Sequence, residues 1–185
     1  YALLEGQGIF SRVGKSARWE PANDGLDDEP VRLIGASDAA YTLTTSGSIF
    51  SFTAPTSSAG SWVKLASITA AVNELGVAPD GTLWAALRDG PPLQRDAKSG
   101  KWSTADKGLI GSGRATVFAF TSTGVPLLGT SRGGVFRWDA AKGAWSSVGL
   151  SGLPMQQGRH GMGRSVVTAL HADSGKLYAG TEHGI

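Results

Sequence analysis

Three histidines, His160, His171 and His183, are the only imidazoles in the chain, spaced 11 and 12 residues apart. A zinc site needs further nitrogen or carboxylate ligands beside them, and the linear sequence brings none into register. Turn and surface positions are therefore the expectation. The one dense acidic patch is Asp24, Asp27, Asp28 and Glu29. It offers hard oxygen donors for calcium, but without the alternating donors and required glycine of an EF-hand loop. Glycoside hydrolysis needs two carboxylates facing one another across a cleft, and linear proximity does not supply that. Asp80, Asp106 and Asp173 read as turn caps. No cysteine is present, which excludes disulfides, thiolate metal clusters and a cysteine nucleophile. No catalytic residue, metal site or cofactor is assigned.

Recognition is better supplied than catalysis. Trp84, near Arg88, and Trp138, beside Arg137, stand apart from the other tryptophans and could serve as exposed platforms for a sugar ring or a partner's surface. Core or edge packing is the leading reading of both. The longest irregular stretch, residues 152–164 (GLPMQQGRHGMGR), carries Gln157, Arg159, His160 and Arg164, donors suited to an anionic or carbohydrate partner. These four, with Trp84 and Trp138, are the candidate binding residues.

The elements that must position them follow from a repeat. YALLEGQGIF, AYTLTTSGSIF, LWAALRDGPPL, LLGTSRGGVF and LYAGTEHGI share an apolar run, a few polar residues, then a glycine and further apolar residues. The marker glycines Gly8, Gly47, Gly90, Gly134 and Gly184 lie 39, 43, 44 and 50 residues apart. Trp19, Trp62, Trp102 and Trp145 follow the first four by 11, 15, 12 and 11 residues. Approximate repeats are 1–39, 40–82, 83–126 and 127–176, with a partial repeat at 177–185.

Within each period the signals are for strands and tight turns. Ala115–Phe120 and Val166–Leu170 are runs of β-formers. Pro79-Asp80-Gly81, Ser122-Thr123-Gly124 and Asp173-Ser174-Gly175 are turns in which glycine supplies positive φ. The marker strand follows, then a third strand such as 134–138, a polar turn at 139–143, and a fourth strand with the tryptophan. Four short antiparallel strands per period of about 44 residues is the arithmetic of a propeller blade. Helical solenoids need glycine-free amphipathic runs that are absent here. Period-locked aromatics, including Phe10, Phe50 and Phe136, are expected to pack between neighbouring blades.

Composition agrees. The 185 residues include 27 glycines, roughly twice the ordinary frequency, without the collagen period. The net charge of +2 divides into seven acids against four bases over residues 1–40 and eight against thirteen over 41–185. The bases are scattered, so nucleic-acid binding has no support. No apolar stretch approaches the roughly 20 residues of a membrane helix.

LYAGTEHGI and LLGTSRGGVFRWDAAKGAWSSVGLSGLP resemble the blades of BNR/sortilin-like and two-component-regulator β-propellers of the WD40/YVTN/BNR-like group. Photosystem II assembly-factor and xyloglucanase-type propellers are similar too. That family's Asp-box maps imperfectly onto Asp96–Trp102 and Asp139–Trp145, where Asp precedes Trp by six positions instead of five. The box resembles a turn-stabilising device on the rim. A sialidase-type site is not matched, because Tyr41 and Tyr178 fall inside marker strands.

The expectation is an all-β propeller of four-stranded antiparallel blades, an incomplete ring or part of a larger one. Residues 177–185 duplicate the register of 1–9, so open blade edges are expected to be covered by further sequence, another chain or self-association. The expected function is non-catalytic binding of a protein or carbohydrate through blade loops, extracellular or periplasmic. A part of a propeller glycoside hydrolase or polysaccharide lyase, and a structural assembly scaffold, are the alternatives.

Overall fold

The computed structural model describes residues 1–12, 18–36, 39–53, 60–132, 134–148, 157–158, 161–162, 166–173 and 175–182. They form two compact units, Tyr1–Ala70 and Ala71–Ile185. The boundary falls on a crossover between sheets.

The first unit holds a three-stranded sheet, β1 (Ala2–Leu4), β2 (Gly8–Ser11) and β3 (Glu20–Pro21). A four-stranded sheet follows, β4 (Pro30–Ala36), β5 (Ala39–Thr44), β6 (Ser48–Thr53) and β7 (Trp62–Ser67). The second unit opens with β8 (Val72–Val77), β9 (Leu83–Leu87), β10 (Leu93–Arg95) and β11 (Trp102–Thr104). Its next sheet is β12 (Ala115–Phe120), β13 (Pro126–Thr130), β14 (Val135–Asp139) and β15 (Ala144–Ser147). Two hairpins complete it, β16 (Gln157–Gly158) with β17 (Gly161–Met162), and β18 (Val167–Asp173) with β19 (Lys176–Thr181). Every pairing is antiparallel between strands consecutive in the chain. This is the meander of propeller blades, as the repeat predicts.

The opening strands β4, β8, β12 and β18 start 42, 43 and 52 residues apart. Each breaks register at one place, one residue in, at Val31, Asn73, Thr116 and Thr168. A bulge there strengthens the local twist. Nothing in the residue types marks it, because Val, Asn and Thr share no turn chemistry.

Inside each unit the sheets pack through the period-locked tryptophans. Ile9, Ala40, Phe50, Phe52 and Trp62 form the core of the first unit. Trp84, Ala86, Ala105, Phe118, Leu128 and Trp145 belong to that of the second. Trp62 donates its indole N–H to the Ala22 carbonyl (2.8 Å), and Trp145 does the same to Ala105 (2.7 Å), each 40 residues back. The loop after that carbonyl is also matched. The Trp62 amide donates to the Asp24 carbonyl and the Trp145 amide to Lys107, both at 2.8 Å. Gly25 and Gly108 follow with φ of 90° and 92°. An indole, a backbone amide and a left-handed glycine thus latch these two crossovers onto the next sheet's last strand.

Two of the four tryptophans depart from the expected packing. Trp19 is 50% exposed. Trp102 is half-buried, and its indole N–H is buried without an acceptor among the described residues. The stretch before β8, residues 68–71, reads Ile-Thr-Ala-Ala and lacks the glycine of the latch loops.

Close approach of neighbouring sheets depends on glycine at two strand positions. A Cβ at Gly76 would lie 2.8 Å from the Phe118 side chain, and one at Gly129 would lie 2.7 Å from Val167. The first admits the β12 aromatics onto β8. The second lets Val135, Val167 and Ala179 close a small core against the β18–β19 hairpin.

Candidate functional site

The second unit contains an open groove of about 600 Å³ between the β8–β11 and β12–β15 sheets. Side chains alternate along a strand, so Thr82 and Trp84 share a face. Gln94 is the register partner of Trp84 and shares it as well. From the other sheet come Pro126 and Trp138, and the turns at Asp80, Thr123–Gly124 and Asp139–Ala140 form the rim.

The floor is aromatic. Trp84 meets Trp138 and Trp145 edge to face, with centroids 5.2 and 5.5 Å apart, and Trp138 meets Trp145 at 5.1 Å. Such arrangements add about 0.5–1.5 kcal/mol per pair beyond the buried area. Trp84 is 1% exposed, which agrees with the leading expectation of core packing and removes the alternative of an exposed platform. It lies on the interior strand β9, and the sheet carrying Phe118 and Trp138 covers it. Its indole N–H is buried without an acceptor among the described residues, and being out of solvent's reach it is not a donor available to the groove. Trp138 is half-buried and retains a surface toward the groove.

The rim carboxylates are already engaged by turns. Asp80 accepts the Thr82 amide at 2.9 Å. Asp139 accepts the Ala141 and Lys142 amides at 3.1 and 3.2 Å and pairs with the Lys142 ammonium at 2.9 Å. The side-chain bond to Lys142, helped by the turn amides, holds the Asp139 carboxyl below its ordinary range. Asp96 has the same role in the preceding sheet, accepting the Ser99 amide at 2.5 Å. The degenerate Asp-boxes therefore act as turn stabilisers. Gln94, Thr82, Ser146 and Arg137 have no side-chain partner among the described residues, leaving amide, hydroxyl and guanidinium groups for a ligand.

Among the other sequence-predicted residues, Arg159, His160 and Arg164 lie outside the described residues, as does His183. Gln157 is described only as a backbone position of β16, paired with Met162. Trp84 and Trp138 are brought together, and the fold adds Gln94 and Thr82, whose residue types alone do not mark them as site residues. The signal that could have found Gln94 is positional: it sits opposite Trp84 when the third strand is laid against the marker strand.

His171 faces Tyr178 across β18–β19, with ring centroids 6.2 Å apart, and Tyr178 is 49% exposed. Among the described residues no group of three or more His, Asp or Glu could hold a metal ion.

Two carboxylates of the acidic patch, Asp27 and Asp28, are engaged in structural contacts. Asp27 pairs with Lys64 at 2.9 Å, and the Asp24 carbonyl takes the Trp62 amide. Asp28 accepts the Thr45 hydroxyl (2.6 Å), the Ser46 amide (2.7 Å) and the Glu29 amide (2.8 Å). Chiefly through Thr45, these bonds lower its pKa to about 2. A carboxyl with a depressed folded pKa stabilises the fold above its unfolded value near 3.8 and loses that contribution as pH falls toward 2. Asp28→Asn should therefore flatten the melting temperature's dependence on pH between about 4 and 2. Thermal scans of both proteins across that window test this, and parallel curves would exclude the linkage.

No family model and no curated protein matches the chain. Solved structures do. The extracellular domain of the one component system BT4673 from B. thetaiotaomicron superposes with a TM-score of 0.63 at 14% identity, over 95% of this chain and 23% of that one. The computationally designed Ika4 protein gives 0.57 at 16%, over 88% and 91%. YCF48 from Cyanidioschyzon merolae gives 0.54 at 15%, over 91% and 58%. The chain thus spans less than a quarter of the BT4673 extracellular domain's length and under two thirds of YCF48. At these identities the likeness establishes the fold, a repeated β-sheet arrangement of propeller type. The finer resemblance to BNR/sortilin-like repeats has no family match behind it.

Proposed function

We propose that this chain is a non-catalytic recognition module that binds a partner protein outside the cytoplasm, using the turns and groove of its second unit. The observation that carries this reading is the division of labour along the groove. Its carboxylates serve as turn acceptors, while Gln94, Thr82, Ser146 and Arg137 make no side-chain bonds to the described fold. A glycosidase needs one carboxyl held protonated by a raised pKa, and Asp139 is shifted the opposite way. Similarity in fold to the extracellular domain of a one component system supports the location.

Photo-crosslinking from residue 140, on the groove rim, tests the reading in the producing cell. A discrete protein adduct from this position, absent with the probe at residue 98 in the β10–β11 turn, is the expected result. Adducts of equal yield from both positions, or turnover of a polysaccharide panel by the purified chain, would overturn it.

A further inference from the structure

We infer that the groove between the β9 and β14 sheets binds a short neutral saccharide, free or displayed on a glycosylated partner; this rests on the recognition reading above. Trp138 offers the platform. It is partly exposed, and Trp84 and Trp145 brace it edge-on at 5.2 and 5.1 Å. A braced indole presents its apolar surface to the C–H face of a sugar without losing rotamer freedom on binding.

The polar groups fit hydroxyls. A sugar hydroxyl both donates and accepts, and so do the Gln94 amide and the Thr82 and Ser146 hydroxyls. None of these three has a side-chain partner among the described residues, and all three line the groove. Arg137 adds donors. With Asp139 paired to Lys142, Asp80 and Arg137 leave the lining without net charge, so no charge attraction selects an anionic ligand.

The backbone disfavours an extended peptide. Strands β9, β10, β13 and β14 are each paired on both sides, and the edge strand β15 contributes only Ser146 to the lining. Peptide capture by strand addition needs an open edge, which those four strands do not present. The groove has room for a disaccharide.

Tryptophan fluorescence reports on the site directly. The intact chain is titrated with cellobiose, maltose, lactose and N,N′-diacetylchitobiose, and with glucuronic acid as the anionic control. At least one neutral sugar should change the emission saturably. Gln94→Ala should weaken that binding at least tenfold with an unchanged circular dichroism spectrum, and Trp138→Ala should abolish it. Ribonuclease B against its unglycosylated form, ribonuclease A, separates a displayed glycan from a free sugar, since either source supports the assignment. No response to any neutral sugar or to ribonuclease B, or a response to glucuronic acid alone, would overturn it. If rim crosslinking to a partner protein persists in Gln94→Ala and Trp138→Ala while no sugar binds, the saccharide assignment falls and the recognition reading stands. Release of monosaccharide during titration would instead refute the non-catalytic reading.

Discussion

Trp145→Ala should destabilise the second unit by about 3–5 kcal/mol, the range for removing a large aromatic from a packed core. The side chain is 3% exposed, meets Trp84 and Trp138, and holds the Ala105 carbonyl at 2.7 Å. Trp145→Phe keeps most of the area but leaves that carbonyl without its indole donor, which should cost about 1–3 kcal/mol. Trp62→Ala should behave like Trp145→Ala, because Trp62 makes the same bond to Ala22 in the first unit. Trp19→Ala is the control: with half its surface exposed, it should stay within about 0.5 kcal/mol of the parent. Denaturant midpoints of the four variants decide the matter. A Trp145→Ala midpoint no lower than that of Trp19→Ala would show that the period-locked tryptophan does not carry the packing.

Gly108→Ala should cost about 3 kcal/mol or more, well beyond the penalty of a left-handed backbone alone. That conformational penalty is about 1–2 kcal/mol for an L-residue at φ near +90°. Gly6→Ala isolates it, since φ there is 67° and nothing lies within 4 Å of the added methyl. At Gly108 the methyl would overlap the Trp145 carbonyl oxygen, and at Gly25 the Trp62 carbonyl oxygen. Relief would require moving a loop held by the Trp145 amide bond to Lys107 or by the Trp62 amide bond to Asp24. The difference between Gly108→Ala and Gly6→Ala therefore measures the latch. Equal losses of stability in the two variants would mean that the crossover can shift freely.

Much of the fold is legible in the sequence because it is local. The marker strand 127–130, the turn at 139–143 and the strand carrying Trp145 are set by β-propensity, turn chemistry and alternation, all of which act within a few residues. The structure forms β13, that turn and β15 there. Glycines at 81, 124 and 175 adopt the positive φ that their turn sequences imply. The candidate site is half legible. Trp84 and Trp138 stand out as unusual, but whether either is exposed depends on which sheet covers it, and the two lie more than fifty positions apart in the chain.

The repeat by itself determined the unit of structure: four antiparallel strands per period, closed by glycine turns, with a tryptophan in the last strand. Tertiary structure decided which copies of that unit use their shared residues alike. Trp62 and Trp145 find a carbonyl on the preceding crossover, whereas Trp19 is half exposed and the Trp102 indole has no acceptor among the described residues. It also decided between the two readings of Trp84, burying it as the floor beneath Trp138, and set Gln94 opposite it. The physical reason is that propensity and turn preference are properties of a short segment, while burial belongs to the pair of surfaces that meet. A period can repeat a side chain, but only its neighbour determines what that side chain touches.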